Sequence, residues 1–138
     1  MRKLLSILSL AFILIGCSSN DSSTPSTDGP GEPMEWQSEQ QITKENGINC
    51  ISIPAEGEVI SFVCTNYDSF RLADVKENGE MVSIDNPLIA KGNWFEVKII
   101  NKQMTITFNQ NTEYERNLSL TVQTGDCFCK FLFKQQTK

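Results

Sequence analysis

Histidine is absent from the chain. That removes the side chain most used as a general base near neutral pH and the commonest metal ligand, so most routes to catalysis narrow at once. Positive charge is scarce too. Twelve Lys and Arg against 17 Asp and Glu leave a formal charge of -5, which gives no attraction to nucleic-acid phosphates. No apolar run reaches the roughly 20 residues that a membrane-spanning helix needs. Gly-rich phosphate loops, nucleophile elbows and metal-ligand helix motifs are all missing. The 138 residues leave room for one domain of ordinary size rather than several. The carboxylate pairs Glu56 and Glu58, Glu77 and Glu80, and Glu113 and Glu115 all fall near turn signals, where solvated charge is expected rather than a glycosidase acid–base pair. The chain is expected to be no enzyme, with no cofactor, no metal and no nucleic-acid partner.

What is present begins at the N-terminus. Met1-Arg2-Lys3 is a short cationic start, and Leu4 to Ile15 is an apolar run broken by Ser6 and Ser9, the order of a secretory signal peptide. Leu14-Ile15-Gly16-Cys17 follows, and it resembles the lipobox of bacterial lipoproteins. The resemblance implies cleavage between Gly16 and Cys17 and acylation of the Cys17 thiol, so that residues 1–16 are removed and the chain is held to a membrane through N-terminal lipid. Each buried CH₂ of such a chain contributes about 0.8 kcal/mol of membrane affinity. Ser18 in place of Asp implies, by the same analogy, outer-membrane or cell-surface localisation. An ordinary cleaved signal with a chance cysteine is the competing reading.

Residues 17–33 are nearly all Ser, Thr, Asp, Asn, Gly, Pro and Glu, with nothing apolar to offset the entropy of ordering. They read as a disordered tether with a reach of about 20–25 Å. From Met34 the apolar pattern has period two. Met104, Ile106 and Phe108 alternate with polar residues, as do Leu118, Leu120 and Val122; Phe95, Val97 and Ile99; Ile60, Phe62 and Cys64; and Cys127, Cys129, Phe131 and Phe133. Weaker strands are expected at Ile48 to Ile53, Phe70 to Val75 and Met81 to Ile84. Glu56-Gly57, Asn78-Gly79, Asn86-Pro87, Lys91-Gly92-Asn93 and Thr124-Gly125-Asp126 supply turns. Seven or eight strands without a convincing helix predict an all-β antiparallel sandwich over 34–138.

Trp94-Phe95-Glu96-Val97, the strand Met104 to Phe108, Asn111 with Arg116, Leu118-Ser119-Leu120-Thr121-Val122 and the terminal Lys134-Gln135-Gln136 resemble the BACON domain of Bacteroidetes. The resemblance implies an immunoglobulin-like sandwich in which the Asn and the Arg bracket a late loop and a Gln closes the last strand. It also suggests glycan or glycoprotein binding. In this chain Phe70 stands where the family has a Trp, and Ile100-Asn101-Lys102 replaces a Gly-rich turn. Arg116 is expected to be structural, bonding loop carbonyls while its stem covers apolar surface.

Four cysteines besides Cys17, an even number in an exported chain, make disulfides the leading expectation. Cys127 and Cys129 stand about 6.6 Å apart on one strand, near the limit for a bridge. Cys50 and Cys64 are therefore each expected to join the last strand, each bridge contributing about 4 kcal/mol in the chain-entropy model. A Cys₄ metal site, for which Cys-x-Cys is the wrong spacing, and four reduced buried thiols are the alternatives. Trp94 is opposite in parity to Phe95, Val97 and Ile99. If those three face the core, its indole faces out and can stack on a sugar ring, with Trp36 and Tyr67 as further candidates and Asn93, Asn66 or Asp68 to bond hydroxyls. Packing of Trp94 into the sandwich is the preferred reading over sugar stacking, because sandwich domains commonly bury one large aromatic and strand register slips easily by one residue. The expected function is a lipid-anchored envelope protein that binds glycans or glycoproteins; the alternative is a spacer or protein-interaction module that docks through a sheet edge.

Overall fold

The computed structural model describes residues 31–138; the segment read as a signal peptide, Gly16, Cys17 and nearly all of the segment read as a tether lie outside them. Gly31–Lys138 forms one compact unit. It consists of β1 (Trp36–Gln37), β2 (Thr43–Glu45), β3 (Ile48–Ile53), β4 (Glu58–Cys64), β5 (Arg71–Glu77), β6 (Glu80–Met81), β7 (Ile89–Lys91), β8 (Phe95–Ile100), β9 (Gln103–Phe108), β10 (Arg116–Thr124) and β11 (Cys127–Gln135). One sheet has the order β1-β4-β9-β8-β7 and the other β2-β3-β11-β10-β5-β6. The two apolar faces meet as an immunoglobulin-like sandwich, the arrangement that buries period-two strands from both sides.

The seven long strands match the expected ones, and the four additional strands have only two or three residues each. Segments that short carry no readable alternation. Met81 to Ile84, expected as a strand, pairs only through Met81, opposite Lys76. One ladder also departs from the antiparallel expectation: β3 runs parallel to β11, from Ile48 opposite Lys130 to Ile53 opposite Gln135. After β3 the chain turns at Pro54–Gly57 into the opposite sheet, so β3 lies between β2 and β11 and does not pair with β4, the strand that follows it.

Local chemistry fixes the turns. Asn46-Gly47 and Asn78-Gly79 both take positive φ at both positions, as a two-residue hairpin requires. Gly57 has φ +87, and a Cβ there would lie 2.4 Å from the Phe108 carbonyl oxygen. Only glycine lets the chain enter β4 so close to the end of β9. The expected hairpin at Gly125–Asp126 joins β10 and β11, with Thr124 opposite Cys127.

The core is aromatic at its centre. Phe62 packs on Phe131 at 5.2 Å between ring centroids, Phe131 stacks on Phe133 at 6.0 Å, and Phe133 meets Phe108 at 5.5 Å. Each fully buried ring contributes on the order of 2–3 kcal/mol relative to exposure.

Candidate functional site

Trp94 and Trp36 form no shared exposed aromatic surface, for two separate reasons. The first concerns Trp94. Phe95, Val97 and Ile99 do face the core, yet Trp94 is only 6 % exposed. β8 begins at Phe95, and Trp94 stands in the bend before it, where strand alternation does not govern side-chain direction. Its indole turns over the end of the sandwich, stacks near Phe108 and meets Phe95 edge to face at 5.2 Å. The indole N–H donates to Glu77 Oε2 at 2.6 Å. The Arg116 guanidinium lies 4.4 Å above the ring, so the indole is stacked on groups of the protein itself.

The second reason is position. Trp36 pairs with Cys64 at the C-terminal end of β4, whereas the Trp94 carbonyl accepts from the Asn109 amide, just past Phe108, which pairs with Glu58 at the N-terminal end. The tryptophans therefore sit at opposite ends of a strand about 20 Å long. Trp36 is itself half-buried, edge to face with Phe70 at 5.0 Å and with Phe131 at 5.1 Å. Two of the other candidates, Tyr67 and Asn66, are likewise in structural use. The Tyr67 hydroxyl donates to the Glu32 carbonyl, and Asn66 accepts from the Glu35 amide while donating to the Pro33 carbonyl. Glu32 and Pro33, part of the tether as read from sequence, are thus fastened to the domain. Burial, then the Cys127 thiol, hold the Tyr67 hydroxyl above its ordinary value.

Around Arg116 a polar network closes one end of the sandwich. Arg116 Nε donates to Gln135 Oε1 at 2.9 Å, and its terminal nitrogen donates to the carbonyls of Asn109 and Gln110. Gln135 Nε2 in turn donates to the carbonyls of Pro54 and Asn109. Asn111 Nδ2 donates to the carbonyls of Tyr114 and Gln136. Burial lowers the Arg116 pKa, while Glu113 and Glu77 act in the opposite direction; the group remains a cation at physiological pH. The structural role expected of Arg116 is the one observed. Beside this network lies a polar hollow of about 360 Å³ with Asn78, Asn93, Glu113 and Tyr114 on its walls. Tyr114 is 66 % exposed and was not legible as a site residue, because it falls in the loop between β9 and β10.

The four described cysteines are free thiols, not disulfides. Strand parity explains why Cys50 cannot reach Cys127 or Cys129. Asn49 and Ile51 are buried on the inner face of β3, which turns Cys50 outward, whereas Cys127 lies on the inner face of β11 and Cys129 accepts from Asn49 Nδ2 at 3.1 Å. Cys64 donates to Asn66 Oδ1 and Cys127 to the Glu32 carbonyl. Burial pushes the Cys129 thiol up. Among the described residues no group of three or more Cys, Asp or Glu could hold a metal ion.

A second concavity lies along the outer edge of β4. β1 covers only Val63 and Cys64, so among the described residues Glu58 to Phe62 have no neighbouring strand on that side. A groove of about 880 Å³ runs there, between β4 and the segment Trp36–Ile42 that crosses toward β2. The Cys64 amide donates to the Lys102 carbonyl, which places the amides and carbonyls of Cys64, Phe62, Ile60 and Glu58 on the β9 side. Those of Val59 and Ser61 consequently point into the groove. Ser38 Oγ donates to the Ser61 carbonyl at 2.7 Å. No hydrogen bond among the described residues reaches the amides of Val59 and Ser61.

The chain is similar to the NMR structure of a protein from Bacteroides thetaiotaomicron. The two share 29% identity and superimpose with a TM-score of 0.69, over 84% of this chain and 97% of that one. A titin domain, M7, aligns at 11% identity with a TM-score of 0.41, over 78% of this chain and 99% of that one. No family model and no curated protein sequence matches the chain.

Proposed function

We propose that this chain is a lipid-anchored, non-catalytic recognition module of the cell envelope whose ligand is a protein segment. One observation carries the reading: both tryptophans are packed into opposite ends of the sandwich while the β4 edge stands open beside a groove of about 880 Å³. Open edges pair readily with other polypeptides, and proteins usually cover or blunt them. Leu14-Ile15-Gly16-Cys17 supports the anchor, and the likeness to a protein from Bacteroides thetaiotaomicron fits a Bacteroidetes source. The BACON resemblance, which suggests glycan or glycoprotein binding, belongs to the second reading below.

A photoreactive benzophenone side chain at position 59, in the full chain expressed in its own envelope, tests it. The expected result is a discrete protein adduct that is absent when the probe stands at position 114. Glycan binding is the second reading, favoured by exposed Tyr114 over a hollow of amide and carboxylate groups. It replaces the first if position 59 yields no protein adduct while one polysaccharide class retards the chain and Tyr114→Ala abolishes the retardation.

A further inference from the structure

We infer that the β4 edge takes an extended, basic peptide strand whose apolar side chains alternate with Lys or Arg. This rests on the protein-segment reading and adds the chemistry of the partner. Three backbone groups are offered in register: the Val59 amide, the Val59 carbonyl and the Ser61 amide, with the Ser61 carbonyl already held by Ser38. They lie on alternate residues, as a strand added antiparallel to β4 would meet them. The open stretch is five residues long, Glu58 to Phe62, close to the usual length of a strand. Val59, 62 % exposed, and Ile42 give the apolar side chains of an incoming strand something to cover.

Charge selects among possible occupants. Among the described residues the one charged group lining the groove is Glu39, no cation lines it, and Glu58 stands at the start of the open stretch. A second copy of this chain, paired edge to edge about a two-fold axis, would bring its own Glu39 and Glu58 against these, and each copy has a formal charge of -5. A strand bearing Lys or Arg turns that repulsion into attraction.

The test is an NMR titration of the ¹⁵N-labelled full chain with capped peptides of about seven residues that alternate Val with Lys, or Val with Glu. The Val/Lys peptide is expected to slow hydrogen exchange of the Val59 and Ser61 amides by at least about tenfold. It is expected to bind at least about tenfold tighter than the Val/Glu peptide at low salt, with the difference shrinking as salt is raised. N-methylation along the peptide's bonding edge should weaken it by about tenfold, a control that leaves the protein unaltered. Equal or tighter binding of the Val/Glu peptide at the same two amides overturns the charge inference and leaves the protein-segment reading standing. Protection of neither amide by either peptide overturns the proposal, and the crosslink at position 59 then decides the reading separately.

Discussion

Arg116→Ala should destabilise the fold by about 2–3 kcal/mol, and the size of that effect follows from which partners lose their donor. Gln135 is almost wholly buried, and its Oε1 accepts from Arg116 Nε, so truncation leaves a buried acceptor unmade at a cost of about 1–3 kcal/mol. The Asn109 carbonyl keeps its bond from Gln135 Nε2, and the Gln110 carbonyl is exposed to water, so those two contacts add little. Losing the cation above Trp94 removes about 0.5–1 kcal/mol more. For a domain of this size the sum corresponds to a fall in Tm of roughly 10 °C or more. Urea unfolding of the full chain, monitored by tryptophan fluorescence, measures it, with Gln135→Leu and the double variant completing a cycle. Removing both partners abolishes the orphaned acceptor, so the double variant should be at least about 1 kcal/mol more stable than the sum of the single losses implies. Additivity within about 0.5 kcal/mol would refute the reasoning, as would a loss below that size for Arg116→Ala alone.

Gly57→Ala should cost about 3 kcal/mol, because φ +87 is unfavourable for alanine and the new Cβ would meet the backbone at Phe108 and Asn109; urea melts giving a loss below about 1 kcal/mol would contradict this. Trp94→Phe keeps the ring packing but leaves Glu77 without its donor, so calorimetry should show a loss of about 1 kcal/mol and retention of the fold. The Cys129 thiol holds its proton more tightly in the folded chain than in the unfolded one, whose ordinary value is 9.0. Its contribution to stability is therefore complete below pH 9 and lost as pH rises through the folded value. Melts at pH 8 and 10 should show the alkaline loss in the wild type and a smaller one in Cys129→Ala. At pH 8 iodoacetamide should label outward-facing Cys50 before Cys129, as peptide mapping would show.

The seven long strands were legible because each buries alternate residues, and period two survives in sequence wherever one face is dry. Arg116 was legible through its loop and its long stem. The packing of Trp94 was legible only as the preferred of two readings: parity locates a side chain only inside a strand, and nothing in Gly92-Asn93-Trp94 marks where the bend yields to β8. The cysteine pairings failed on the same rule applied too sparingly. Cys50 alternates with Asn49 and Ile51, and that alone puts its sulfur on the opposite face of the sheet from Cys127. The open edge of β4 left no trace in the sequence, since the alternation of Val59, Ile60, Ser61 and Phe62 reports the faces of a strand and says nothing of its neighbours. Which strand lies at an edge depends on how far β1 extends along β4, and that is decided by where the segment after Gln37 leaves for the other sheet.

Amide hydrogen exchange along β4 in the free chain is the most direct test that this edge is open. Ile60 and Phe62, bonded to β9, should exchange at least roughly a hundredfold more slowly than Val59 and Ser61 beside them. Uniform protection from Val59 through Phe62 would mean that the edge is already covered, and would contradict a docking role for it.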